Sequence, residues 1–118
     1  MAADVVEMKA ELLKALAHPT RLRILELLKT GPRCVYDIMG ALDLEQSNVS
    51  QHLALLKKFG LVSARKKGLR VIYQVRCSYV YEILDVLQEI LLAQFQDTLS
   101  LYDDIQNQRP KLAHQGSS

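Results

Sequence analysis

A chain of 118 residues, 49% apolar and 24% charged, has the composition of one globular domain, which excludes a wholly disordered or fibrous chain. Its longest apolar runs are four residues, against the roughly 20 that a membrane-spanning helix needs, so no membrane partner is expected. Fifteen bases against 13 acids leave a net charge of +2, and two cysteines 43 positions apart make no disulfide framework.

Met1 to Glu7 carries acids and lacks the basic start and apolar stretch of a secretory signal, which predicts a cytoplasmic location. Asp4 can cap a helix running to about Ala17, with Val5, Met8, Leu12 and Leu16 on one stripe. His18-Pro19 ends it. Pro19 suits the start of a second helix, capped by Thr20 or His18 and reaching Thr30 through Leu22, Ile24, Leu25, Leu27 and Leu28. After the Gly31-Pro32 break, Cys34 to Leu42 reads as a short third helix. A tight connection through Asp43 and Leu44 leads to a fourth, from about Gln46 to Phe59, which Gly60 closes as a left-handed cap. Leu61 to Lys67 and Arg70 to Arg76 alternate as a hairpin with Gly68 at its turn, although Ile72 interrupts the pattern.

From Ser78 to about Ile105 the helical pattern returns. Its apolar stripe, from Val80 and Ile83 through Leu87 and Phe95 to Tyr102, is so broad that a second subunit is the economical way to cover it. Residues 106–118, with Pro110, Gly116 and paired serines, are expected to form a disordered tail, leaving 1–105 as the folded domain. The fold class is mostly α (α+β): a winged helix-turn-helix in the order α-α-α-α-β-β-α, with an extra helix at each end.

The near-neutral total hides a polarised chain. Residues 46–81 carry seven bases and no acid, whereas residues 82–108 carry six acids and no Lys or Arg. At 100° per residue the fourth helix turns Val49, Leu53 and Leu56 one way. Ser47, Gln51, Ala54 and Lys58 turn the other, with Asn48 and Ser50 on the flanks. Gln and Asn can pair bidentately with adenine, Ser can serve either base, and Lys can hold phosphate, so this face suits the major groove. The residues expected to meet double-stranded DNA are Gln46, Ser47, Asn48, Ser50, Gln51, Lys57 and Lys58 of this helix, and Arg65, Lys66, Lys67 and Arg70 of the hairpin. His52, at the edge between the faces, either joins them or packs against a neighbouring helix. No enzyme is expected: the histidines at 18, 52 and 114 have no ligand spacing, there is no Gly-rich phosphate loop, and no nucleophile has an identifiable base.

The segments Leu16-Ala17-His18-Pro19-Thr20-Arg21-Leu22-Arg23-Ile24-Leu25, Ser47-Asn48-Val49-Ser50-Gln51-His52-Leu53 and Gly60-Leu61-Val62 make residues 8 to 88 resemble the ArsR/SmtB family of winged-helix repressors. The resemblance implies a homodimer joined through Val5, Met8 and Leu12 of the first helix and Ile83, Leu87, Ile90, Leu91 and Phe95 of the last. It implies an operator that is an imperfect palindrome, released when an inducer binds or modifies the protein. Family inducers include thiophilic metal and metalloid ions, oxidants and reactive sulfur. Cys34-Val35-Tyr36-Asp37 matches a family Cys-Val-x-Asp segment, so Cys34 and Asp37 are candidate ligands, but the N-terminal arm lacks the Cys or His that completes such a site. The family site on the last helix is absent here, with Cys77, Tyr79, Ile90 and Ala93 at its positions. Cys34 and Cys77 are therefore the candidate sensor atoms. A repressor with an organic or protein inducer, one without sensing, and a protein-protein interaction module are the alternatives.

Overall fold

Local capping sets the first two helices. The Asp4 carboxylate accepts from the Val6 N–H at 2.9 Å and starts α1 (Val5–Leu16). His18, not Thr20, caps α2 (Pro19–Leu28): its Nδ1 accepts from the Thr20 N–H at 3.1 Å, with Pro19 in the first turn, where no amide donor is missed. These and the remaining elements come from a computed structural model that describes residues 4–108.

Beyond Gly31-Pro32 the chain makes a strand of two residues, β1 (Arg33–Cys34), before α3 (Val35–Leu42). That strand is an addition to the expected order, which becomes α-α-β-α-α-β-β-α. Cys34 consequently has extended backbone and precedes α3 as its N-cap rather than lying inside the helix. Asp43 takes a left-handed φ of 54° and turns the chain toward α4 (Gln46–Lys58). Gly60, at φ 74°, then releases the chain into β2 (Val62–Lys67), which pairs antiparallel with β3 (Arg70–Val75). The sheet order is β1-β3-β2, so β3 is the central strand, with Cys34 opposite Ile72 on one side and Arg65 opposite Ile72 on the other. Adjacent Ile72 and Tyr73 point to opposite faces and are both half-buried, so partial cover on both faces of β3 accounts for the broken alternation.

Two units result. The first ends at Ser78, and its core gathers Leu16 from α1, Ile24, Leu25 and Leu28 from α2, Ile38 from α3, Val49, Leu53 and Leu56 from α4, and Leu61 and Val62 at the start of the hairpin. The second begins at Tyr79 and contains α5 (Tyr79–Asn107). That helix runs past the expected end at Ile105, and Arg109–Ser118 of the expected tail lie outside the described residues. Among the described residues no helix is long and apolar enough to cross a membrane.

Leu53 is fully buried whereas its neighbour Ala54 is exposed. Leu53→Ala should cost about 2–5 kcal/mol of unfolding free energy in urea titrations, while Ala54→Ser stays within about 0.5 kcal/mol. Equal losses at both positions would contradict this core.

Candidate nucleic-acid interface

Burial orients α4. Val49, Leu53 and Leu56 have no solvent exposure, because the helix packs against α1, α2, α3 and β2. Gln46, Ser47, Asn48, Ser50, Gln51 and Ala54 are left outside, followed by Lys57 and Lys58 in the last turn. Bases at that end also complement the helix dipole. Glu45, the N-cap, makes no side-chain hydrogen bond, so its carboxylate is not fastened over the start of the helix.

The hairpin projects the second basic group. Lys67 faces Arg70 across the closing pair, Lys66 faces Val71, and Arg65, Lys66, Lys67 and Arg70 are all exposed. The turn between strands has two residues, Gly68 and Leu69, and Gly68 takes φ 65°, a conformation costly for other residues. Among the described residues, none of the seven bases between positions 46 and 81 forms an ion pair. A concentrated positive potential therefore remains available to an anionic partner.

His52 stands apart from the rest of its group. It is half-buried, its ring centroid lies 4.4 Å from that of His18, and its Nδ1 accepts from Nε of Arg21 at 3.3 Å. The same guanidinium donates through Nη1 to the carbonyl oxygens of Ala15 at 2.9 Å and Lys14 at 3.3 Å. Both lie in the last turn of α1, where backbone acceptors outnumber helical donors; the Lys14 carbonyl also accepts from the Ala17 N–H at 3.2 Å. Arg21 thus closes α1 and holds α4 from α2. Accepting from Arg21 requires an unprotonated Nδ1. Burial first, and then the charges of His18 and Arg21, hold the imidazole below its usual 6.5.

The candidate sensor residues are separated by burial. Cys34 is 4% exposed, Asp37 in the first turn of α3 is exposed, and Cys77 is half-buried just after β3. Both cysteines are free, and among the described residues no three His, Cys, Asp or Glu side chains gather as a metal site. Cys34 does line a concavity of about 220 Å³ with Tyr36, Gln46, Leu69 and Arg70, at the start of α4 and the tip of the hairpin.

The candidate interface residues lie on α1 and α5. On α1, Val5 and Met8 are exposed and Leu12 is half-buried; on α5, Ile83 is half-buried and Leu87, Ile90, Leu91 and Phe95 are exposed. Exposed apolar residues continue along α5 to Leu99, Leu101, Tyr102 and Ile105. Met8 also lines an apolar groove of about 590 Å³ with Ala10, Phe59 and the acids Asp4, Glu7 and Glu11. Arg21 and Phe59 were not singled out by sequence pattern, since their roles depend on contacts between helices.

Comparison with known proteins gives a consistent set. Residues 18–64 match the profile described as bacterial regulatory protein, arsR family. The chain is 38% identical over 100 residues to the uncharacterized HTH-type transcriptional regulator Rv0081 of Mycobacterium tuberculosis, covering 84% of this chain and 88% of that protein. The crystal structure of Rv0081 superposes with a TM-score of 0.75 at 37% identity, covering 83% of this chain and 99% of the other. The HTH-type transcriptional repressor SmtB of M. tuberculosis is 36% identical over 81 residues, covering 69% of this chain and 60% of the repressor. A solution structure of the homodimeric winged helix-turn-helix DNA-binding domain of Mb0332 from Mycobacterium bovis has a TM-score of 0.66 at 33% identity, covering 77% of this chain and 90% of that domain.

The Arg21–His52 bond has a pH signature. His52 has a lower pKa folded than unfolded, so its stabilising contribution is full above about pH 6.5 and is lost as pH falls through the folded value. The melting temperature should fall between about pH 7.5 and 5.5 more steeply in the unmodified protein than in His52→Gln, which keeps an acceptor that does not titrate. Identical pH profiles would refute this assignment.

Proposed function

The chain belongs to the arsR family of bacterial regulatory proteins, and we propose that it works as a cytoplasmic, homodimeric, sequence-specific DNA-binding repressor released from its operator by a thiol-dependent signal. Transcriptional regulation, not catalysis, is the work of this family. The observation that carries the reading is an exposed, uncharged polar face on α4 together with an exposed basic hairpin, Gln46 and Arg70 lining one concavity and no acid occurring between residues 46 and 81.

The division of labour follows from side-chain chemistry. Ser47, Asn48, Ser50 and Gln51 can exchange hydrogen bonds with base edges, Gln46 sits at the helix start, and Lys57, Lys58, Arg65, Lys66, Lys67 and Arg70 hold phosphates on either side. His52 supports this surface by packing against Arg21. In α5, Glu82, Asp85, Glu89, Asp97, Asp103 and Asp104 repel phosphate, and its exposed apolar face suits a second copy better than DNA. The homodimeric DNA-binding domain of Mb0332 supports this assembly by likeness. Two-fold symmetry calls for an imperfect palindrome with half-sites about one helical turn apart or more.

Cys34 is suited to carry the signal because its strand pairs with β3 of the hairpin and its backbone caps α3, the helix before α4. A bound thiophilic metal or metalloid ion, an oxidised sulfur or a persulfide adds bulk to a buried side chain, which close packing cannot absorb without a shift. Asp37, exposed in the first turn of α3, offers one oxygen donor three positions on, and two donors do not close a metal site. Cys77 follows the hairpin directly and leads into α5, so modification there acts on the connection between the two units.

Three sets of variants test the proposal on a duplex selected by the protein from a randomised pool. Gln51→Ala and Ser47→Ala should lose about 1–3 kcal/mol of discrimination while keeping nonspecific affinity. Lys66→Ala should weaken binding to all duplexes and reduce the salt slope by about one. Cys34→Ser and Cys77→Ser are then compared with the unmodified protein in the presence of metal ions, arsenite, peroxide and persulfide. If both thiol variants respond as the unmodified protein does, thiol sensing is wrong and an organic inducer, a protein inducer or no inducer takes its place.

A further inference from the structure

One side chain of the basic hairpin is the wrong type for phosphate. Leu69 occupies the second position of the two-residue turn and is the most exposed large apolar residue described, at 107% relative exposure. Backbone geometry accounts for Gly68, whose positive φ suits the first turn position, but it makes no demand for leucine at the second. A solitary exposed leucine needs no special role. Leu69 is not solitary: exposed Tyr36 and Val71 line the same concavity, together with Arg70 and with Gln46 at the start of α4. An apolar tip is therefore held between Lys67 and Arg70, beside the end of the helix that would enter the major groove.

Resting on the DNA-binding reading above, we propose that Leu69 is an apolar wedge that enters the minor groove adjoining each half-site and partly unstacks one base step, while Lys67 and Arg70 hold the flanking phosphates. Charge selects DNA as the occupant. A protein or small apolar ligand at this tip would have to meet Arg65, Lys66, Lys67 and Arg70 with no acid in the surrounding segment, whereas a duplex brings phosphates on both sides of its minor groove. Wedge residues in the minor groove spend unstacking energy and gain a kinked duplex, so they favour steps that unstack easily, such as pyrimidine–purine steps. Leu69 thereby adds sequence preference outside the bases read by α4, without a hydrogen bond.

The test uses the full chain, the duplex it selects from a randomised pool, and 2-aminopurine substituted in turn at the flanking steps. The unmodified protein should raise 2-aminopurine fluorescence at one step beside each half-site and bend the duplex in end-to-end energy transfer. Leu69→Ser should abolish the fluorescence rise, reduce the bend and weaken binding to the selected duplex roughly tenfold, with random-duplex affinity and salt slope unchanged. Leu69→Met, which keeps an apolar tip, should restore the fluorescence. Selective binding with identical stacking and bending in Leu69→Ser overturns the wedge alone. Failure of the unmodified protein to prefer any duplex overturns the DNA-binding reading and the wedge together. Loss of random-duplex affinity in Leu69→Ser also overturns it, since that change belongs to phosphate binding.

Discussion

Complete burial of Val49, Leu53 and Leu56 is the constraint on which the functional surface depends. Spaced four and three apart, they fix the rotation of α4 about its own axis, so Ser47, Gln51 and Ala54 have one direction left to face. Each fully buried side chain of this size stabilises the fold by about 1.5–3 kcal/mol relative to exposure, which makes a rotated α4 too costly to populate. Arg21 adds a polar restraint from the side, bonding His52 of α4 and the final carbonyls of α1 with one guanidinium. The outward face of α4 is set by what lies behind it.

Charge completes what burial begins. A net charge of +2 arises from a strongly basic segment, residues 46–81, followed by a strongly acidic one, residues 82–108. Within the first, exposed bases that form no ion pair among the described residues create a field that reaches about a Debye length, roughly 8–10 Å at physiological salt. Within the second, α5 combines acids with a long run of exposed apolar residues, which suits association with protein and opposes association with phosphate. Near-cancellation in the total conceals one basic surface and one that is acidic and apolar.

Much of this was legible in the sequence, for reasons that differ by element. The faces of α4 could be read because burial follows the 3.6-residue period without interruption, and the caps Asp4 and Gly60 act within a few residues of their own position. β1 was missed because two residues carry no periodicity. Ile72 breaks the two-residue alternation because both faces of β3 are partly covered there, as the half-burial of adjacent Ile72 and Tyr73 shows. The Arg21–His52 bond spans 31 positions, and no local pattern announces such a contact. Sequence periodicity alone includes Cys34 in the third helix. Its extended backbone instead puts the thiol in the packed junction of β1, β3 and α3, while Asp37 stays in solvent.

That junction links two questions, since the residue best placed to report a chemical signal lies beside the surface expected to hold DNA. That surface is proposed to bind duplex DNA selectively and through phosphate neutralisation. Competition binding of the unmodified protein to a selected and a random duplex, repeated across salt concentrations, tests it most directly. The expected result is a preference for the selected duplex of about 10³-fold or more, with the logarithm of the affinity falling linearly with log salt on both. Equal affinity for the two duplexes, or affinity independent of salt, would contradict it.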